Sequence, residues 1–212
     1  MAELPERFQM SSFLEGLPLV SETDPQWGEV ACSQLDAVLR DHAWCEFKAA
    51  SAGLGMISRF PDQSFLVRPM IALAQEEMLH FRQVTDLLQE RGVELGPPIA
   101  DRYVRGLRKI CCRSTNGLGV IGDHLILNAF VEARSCERFR VLADRLQDAG
   151  SKEPRLAEFY QRLAEAEARH WESFRDLAHQ VCDPEKVNRR IEEVAQSEAK
   201  LLEQLPVEAR MH

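Results

Sequence analysis

LAQEEMLHFRQVTDLL, residues 73–88, carries charge where a helix should be apolar. Leu73, Ala74, Phe81, Val84, Leu87 and Leu88 recur at intervals of three or four, the repeat that gathers side chains along one stripe of an α-helix. Glu77 and His80 fall inside that stripe. Three residues span about 300° of a helix, so the two stand on one face, one turn apart. The helix is expected over residues 69–90, with Pro69 at its first position and Gly92 at its exit.

Three further segments have the same period. Residues 26–59 carry Leu35, Val38, Leu39, His42, Glu46, Ala49, Ala50, Gly53, Leu54 and Ile57 on one face, closed by Phe60-Pro61. Residues 123–149 carry Leu125, Ala129, Glu132, Cys136, Phe139 and Ala143, ended by Gly150-Ser151. Residues 154–181 carry Leu156, Phe159, Tyr160, Leu163, Ala166, Glu167, His170, Phe174 and Leu177. A long connection, 92–122, holds Pro97-Pro98, Gly117, Gly119 and a short basic helix within 101–113. An amphipathic, highly charged segment, 184–205, is expected to pack outside. No alternating β-branched run suggests a sheet. The expected fold is all-α: a four-helix bundle with a long connection between helices 2 and 3 and an extra C-terminal helix. It forms one domain over 1–212, with the bundle core at about 26–181.

Composition narrows the function classes. The chain has 212 residues, 45% hydrophobic and 28% charged, the balance of a globular protein rather than a disordered one. No stretch approaches a membrane span, and the first residues lack the apolar run of a signal peptide. Six cysteines at irregular spacing include no CxxC pair, which fits reduced thiols in the cytoplasm better than a zinc site or disulfide scaffold. The net charge of -8 excludes nucleic-acid binding by bulk charge; any such contact needs a local basic patch. Arg102, Arg105, Arg108, Lys109 and Arg113 supply one, with Tyr103 as a base-stacking candidate. The alternative is a solvated face paired with the acidic bundle. The arginines at 134–145 are the next candidates.

Each of the four long stripes is interrupted by a carboxylate: Glu46, Glu77, Glu132 and Glu167. His80 and His170 each follow a glutamate by three. Burying an ionised carboxylate costs several kcal/mol unless it is paired. Four are tenable together when cations neutralise them, and two divalent irons would carry the four positive charges. One glutamate from each of two helices and Glu-x-x-His from the other two is the ligand set of two-metal carboxylate bundles. Glu132 is preferred to Glu137, which lies about 140° away among arginines as an expected ion-paired surface residue. Glu167 is preferred to Glu165, which lacks the i,i+3 relation to His170. His42, Asn128, Cys136 and Tyr160 lie one or two turns from these ligands. They are candidates to support them, with core packing as the alternative for each.

This order resembles the ferritin-like superfamily over about 26–181. The strings DHAWCEFKAA (41–50), AQEEMLHF (74–81), LILNAFVEARSCERF (125–139) and AEARHWESF (166–174) resemble the MiaE family, the tRNA 2-methylthio-N6-isopentenyladenosine hydroxylases, over nearly the whole chain. The resemblance implies an oxygen-dependent di-iron monooxygenase. It would hydroxylate the isopentenyl group of adenosine 37 beside the anticodon, with Glu46, Glu77, His80, Glu132, Glu167 and His170 acting through the metal. It implies two irons, O2 as co-substrate, the tRNA anticodon stem-loop as partner and an electron-donating reductase, since no GxGxxG or P-loop motif is present. It further implies a monomer in the cytoplasm. The rival reading is a ferritin-like or rubrerythrin-like protein of iron oxidation, storage or peroxide removal.

Overall fold

A computed structural model describes residues 14–112, 118–147 and 153–212. Its elements are α1 (Pro25–Ser33), α2 (Leu35–Arg59), α3 (Ser64–Glu90), α4 (Arg102–Cys111), α5 (Gly119–Gln147), α6 (Pro154–Val181) and α7 (Pro184–Leu202). There is no strand among the described residues. Short links join α2 to α3 and α5 to α6, so each pair is an antiparallel hairpin, and each hairpin has the most extensive internal contact. The connection between hairpins carries α4, which packs against α5 and α7.

The boundaries depart from the sequence expectation in three places. Residues 26–59 are not one helix: the backbone breaks at Gln34 (φ -134°, ψ 45°). Neither proline nor glycine stands there. Tertiary packing redirects α1, because Gly28 lets it approach α5 so closely that an added Cβ would lie 3.0 Å from Arg145 Cγ. Secondly, α3 starts at Ser64, and Pro69 sits inside it. The lost backbone hydrogen bond is offset by burial of Leu66 and Met70 on either side of the proline. Thirdly, α5 begins at Gly119, whose φ of 73° suits glycine. Gly117, Gly150-Ser151 and Arg113 lie outside the described residues.

The apolar interior forms two clusters with a polar layer between them. One gathers Leu66, Met70 and Leu73 of α3 with Leu125, Ala129 and Phe130 of α5 and Trp171, Phe174 and Leu177 of α6. The other gathers Val38, Leu39 and Ala43 of α2 with Val84, Leu88, Phe139, Leu142, Tyr160 and Leu163. On α3, α5 and α6 the glutamate of each stripe falls between the residues of one cluster and those of the other. The helix α7 packs outside, as expected, against α4 and α6. Gly106 makes the approach to α4 possible, since a Cβ there would meet Leu201 Cδ1 at 2.5 Å.

The chain after α7 folds back onto the bundle. Arg210 grips Asp41 Oδ1 with Nε (3.1 Å) and Nη2 (2.9 Å), and the Met211 amide donates to Asp41 Oδ2 (2.7 Å). Nothing in the periodicity of residues 203–212 announces this strap, because its bonds run to Asp41, Ser135, Trp27 and Arg138, all distant in the chain.

Candidate metal centre

Glu46, Glu77, Glu132 and Glu167 meet in the polar layer, each at most 3% exposed. His80 and His170 join them, their rings 6.2 Å apart. All six residues read from the stripes are therefore brought together. Their oxygen and nitrogen atoms form two compact groups, Glu46–Glu77–His80–Glu167 and Glu77–Glu132–Glu167–His170. Glu77 and Glu167 belong to both.

The polar atoms in this layer are close without being satisfied. His170 Nδ1 lies 2.8 Å from Glu77 Oε1 and 3.5 Å from Glu167 Oε2; His80 Nδ1 lies 3.4 Å from Glu77 Oε2 and 3.6 Å from Glu46 Oε2. Yet both Glu77 oxygens, Glu167 Oε2 and both Nδ1 atoms lack a hydrogen bond of acceptable geometry. Buried polar groups are nearly always paired. Lone pairs that converge on a common point without bonding one another suit a cation, and a donor set of carboxylate oxygen and imidazole nitrogen suits iron or manganese better than a soft-ligand metal.

Electrostatics give the same picture. Burial and the negative charge of Glu46 raise the Glu77 pKa, and burial and Glu167 raise that of Glu132 further. Burial alone would lower the His80 pKa, but the Glu46 and Glu77 carboxylates outweigh it and lift it to about 10; His170 is raised by Glu167 and Glu77 in the same way. Without a cation, then, the cluster gathers protons. Glu46 is the exception. Burial pushes its pKa up, but the close approach of Glu77, His42 and His80 brings it down to about 2.

The surrounding residues sort the supporting candidates. His42 Nε2 lies 2.5 Å from Glu46 Oε1, and its Nδ1 lies 3.3 Å from the Tyr160 hydroxyl, so a buried Tyr160–His42–Glu46 chain holds that carboxylate. Tyr160 packs in the core and also belongs to this chain. Asn128 turns its amide back to the His124 carbonyl (2.9 Å) and lines the cavity described below. Cys136 donates to the Ala164 carbonyl (3.1 Å), does not line that cavity, and burial pushes its thiol up to about 12; it is a packed core residue. Glu76 was not singled out from the sequence. It meets His170 Nε2 at 3.1 Å and is held by Arg169 at 3.0 Å, so it fixes the orientation of the ring whose Nδ1 faces the cluster. The Glu76-Glu77 doublet was the only signal for it.

Two sequence expectations are corrected. Glu137 is ion-paired but not at the surface: it is fully buried, 3.0 Å from Arg134 Nη1, and accepts from Thr23 N (2.8 Å) and Oγ1 (2.6 Å). The segment before α1 covers it, and Arg134 and Arg138 are buried with it, so neither offers a surface to RNA. Tyr103 cannot stack on a base. It is buried with its ring on His212 (5.1 Å, 20°) and its hydroxyl on the Phe130 carbonyl. The other α4 residues fare better: Arg102, Arg105, Arg108 and Lys109 are exposed, Arg102 lying 3.6 Å from Glu208.

A cavity of about 370 Å³ reaches the four carboxylates from outside. Leu127, Val131 and Phe139 form apolar wall, His212 and Ser135 polar wall, and Lys48 and Arg108 stand with them among its lining. A concave apolar site with a few convergent polar groups is the usual form of a small-molecule pocket.

Residues 14–212 match the family model described as tRNA-(MS[2]IO[6]A)-hydroxylase (MiaE). The chain belongs to the MiaE family. It is similar to the tRNA 2-(methylsulfanyl)-N(6)-isopentenyladenosine(37) hydroxylase of Pseudomonas putida, 38% identical across 90% of this chain and 89% of that one. It is also similar to the Salmonella typhimurium protein of the same name, 29% identical across 92% and 83% of the two chains. Among solved structures it is similar to a Synechococcus protein with aldehyde deformylating oxygenase activity. The TM-score is 0.81 and the identity 34%, across 92% of this chain and 94% of that one. This MiaE-family chain has no helix, among the described residues, long and apolar enough to cross a membrane.

Proposed function

We propose that this chain is a di-iron monooxygenase that hydroxylates the isopentenyl group of 2-methylthio-N6-isopentenyladenosine at position 37 of tRNA. Family membership and the activity named for its relatives support the reaction. The observation that carries the site is the set of buried, unbonded oxygen and nitrogen atoms converging from Glu77, His80, Glu167 and His170.

In this reading Glu46, Glu77, His80, Glu132, Glu167 and His170 would hold the irons, Glu77 and Glu167 being common to both groups. Bound there, the irons would supply reductive activation of O2, the reaction as a whole consuming two electrons from a reductase and two protons and giving one hydroxyl oxygen on carbon and one water. The protein's own residues do the rest. His42 turns its Nε2 to Glu46 Oε1 and Tyr160 holds His42 from the other side, so Glu46 stays ionised and aligned. Glu76 fixes His170. Leu127, Val131 and Phe139 offer the prenyl group an apolar wall and exclude water from the reacting carbon. Arg102, Arg105, Arg108 and Lys109 meet tRNA phosphates beside the cavity. The enzyme acts as a cytoplasmic monomer on the anticodon stem-loop.

The rival reading of iron storage or peroxide removal shares the ligands but has no use for the basic side of α4. Nucleoside mass analysis separates the two. Reduced, iron-loaded protein given O2 and tRNA carrying the isopentenyl nucleoside should add one oxygen atom to that nucleoside. Oxidation of the iron with every nucleoside unchanged would overturn the hydroxylase reading.

A further inference from the structure

Beside the cavity over the carboxylates lies a second recess of about 510 Å³, between the end of α2, the middle of α4 and the start of α5. The two share Ala52, Arg108, Leu127 and Asn128, so they adjoin and Arg108 stands in both. The recess adds Arg59 from the last turn of α2 and His124 from α5. No acidic residue lines it. Both Arg59 and Arg108 are exposed, and neither guanidinium has an ion pair or hydrogen bond among the described residues, so both forks are open to a ligand.

The two guanidiniums stand in one recess with no carboxylate in its wall to neutralise them. The His124 ring, edge-on to Phe60 at 6.2 Å, stands with them. Burial first, and then the positive charges of Arg59 and Arg108, lower its pKa, so at neutral pH it presents an uncharged N–H. Planar guanidinium forks and a neutral imidazole donor match the oxygens of a phosphate.

We propose that this recess is a phosphate subsite, in which Arg59 and Arg108 hold a phosphodiester of the RNA strand next to the nucleotide that enters the carboxylate cavity. The inference rests on the tRNA reading above and adds to it Arg59 and His124, which lie outside the basic stripe of α4. Arg108 is the hinge of the arrangement. It lines both spaces, so the phosphate it holds fixes how far the neighbouring base can reach toward the carboxylates.

The test is binding of the anticodon stem-loop across a salt series by Arg59→Gln, Arg108→Gln and the double variant. Arg155→Gln, at the opposite end of the bundle, is the control for charge alone. Exposed arginines without partners can be changed without loss of fold, which equal iron content and thermal midpoint would verify. The double variant should bind several-fold more weakly and lose about 0.7 units of the slope of log K against log salt per phosphate contact removed. In turnover kcat/KM for tRNA should fall along with binding. Arg155→Gln should match the parent. Equal binding and slope in the double variant and the parent, or an equal loss in Arg155→Gln, would overturn the subsite while leaving the hydroxylase reading intact. Failure of the parent to bind the stem-loop would remove the tRNA reading itself.

Discussion

Replacing Glu198 with alanine should destabilise the protein by about 3–5 kcal/mol without emptying the candidate metal centre. Arg134 is fully buried, and Glu198 receives two of its hydrogen bonds, from Nε and Nη2, each 3.0 Å. Its Nη1 meets Glu137, and Nη2 also reaches the Ser21 carbonyl. With Arg138 close by, these four side chains balance, two positive and two negative. Glu198→Ala leaves the set one charge out of balance in a dry interior, and breaking a buried pair from one side costs about 3–5 kcal/mol. Two lost charge-assisted hydrogen bonds at about 1.5–3 kcal/mol each give about 3–6 kcal/mol, an overlapping range. In a domain of this size each kcal/mol moves the midpoint by about 2–4 °C, so thermal unfolding should fall by roughly 6–20 °C. Glu198→Gln keeps the shape and an acceptor and should lose less. Calorimetry with metal analysis of the same samples decides it. A midpoint within 2 °C of the parent would refute the claim that this quartet locks α7 and the segment before α1 onto α5.

Tyr160→Phe removes the hydroxyl that holds His42; metal affinity by chelator competition should fall about 10–100-fold, and an unchanged affinity would break the proposed support chain. The metal-free protein should be more stable near pH 6.5 than near pH 10. The His80 pKa is raised from 6.5 to about 10 by Glu46 and Glu77 against burial, so its contribution is full below 6.5 and lost as pH rises through 10. The raised Glu132 and His170 act in the same direction, and the lowered Glu46 opposes them only below about pH 4.5. A melting midpoint that climbs steadily from pH 6.5 to 10 would contradict the buried cluster. Gly106→Val forces α4 off Leu201 and should cost about 1–3 kcal/mol in denaturant unfolding, with part recovered by Leu201→Ala; no loss would mean that the two helices are not in close contact.

The six residues of the polar layer were legible because a buried carboxylate is a contradiction that the sequence displays openly. Glu77 and Glu167 break apolar stripes whose phase is set by a dozen other residues, and a histidine one turn on has little reason to share that phase without a role. The long helices were legible for the same reason, since burial repeats every three or four residues. What escaped depends on contacts between distant parts of the chain. The break at Gln34 comes from α1 docking on α5 through Gly28, and Pro69 is carried inside α3 by the packing of its neighbours. Glu137 reads as a surface residue among arginines, yet Thr23 and Arg134 close over it from other segments. Tyr103 shows as an aromatic in a basic helix, but the bundle lies on its side of α4. Glu76 escaped because it holds His170 of another helix, 94 residues away.

The central claim is that six side chains form one two-metal centre, and metal analysis of the parent, Glu77→Ala and Glu167→Ala proteins after anaerobic reconstitution with iron tests it most directly. The parent should hold two irons per chain. Because Glu77 and Glu167 belong to both ligand groups, either variant should lose at least one iron while its helical signal persists. Two irons retained in both variants, or well under one in the parent, would contradict the account.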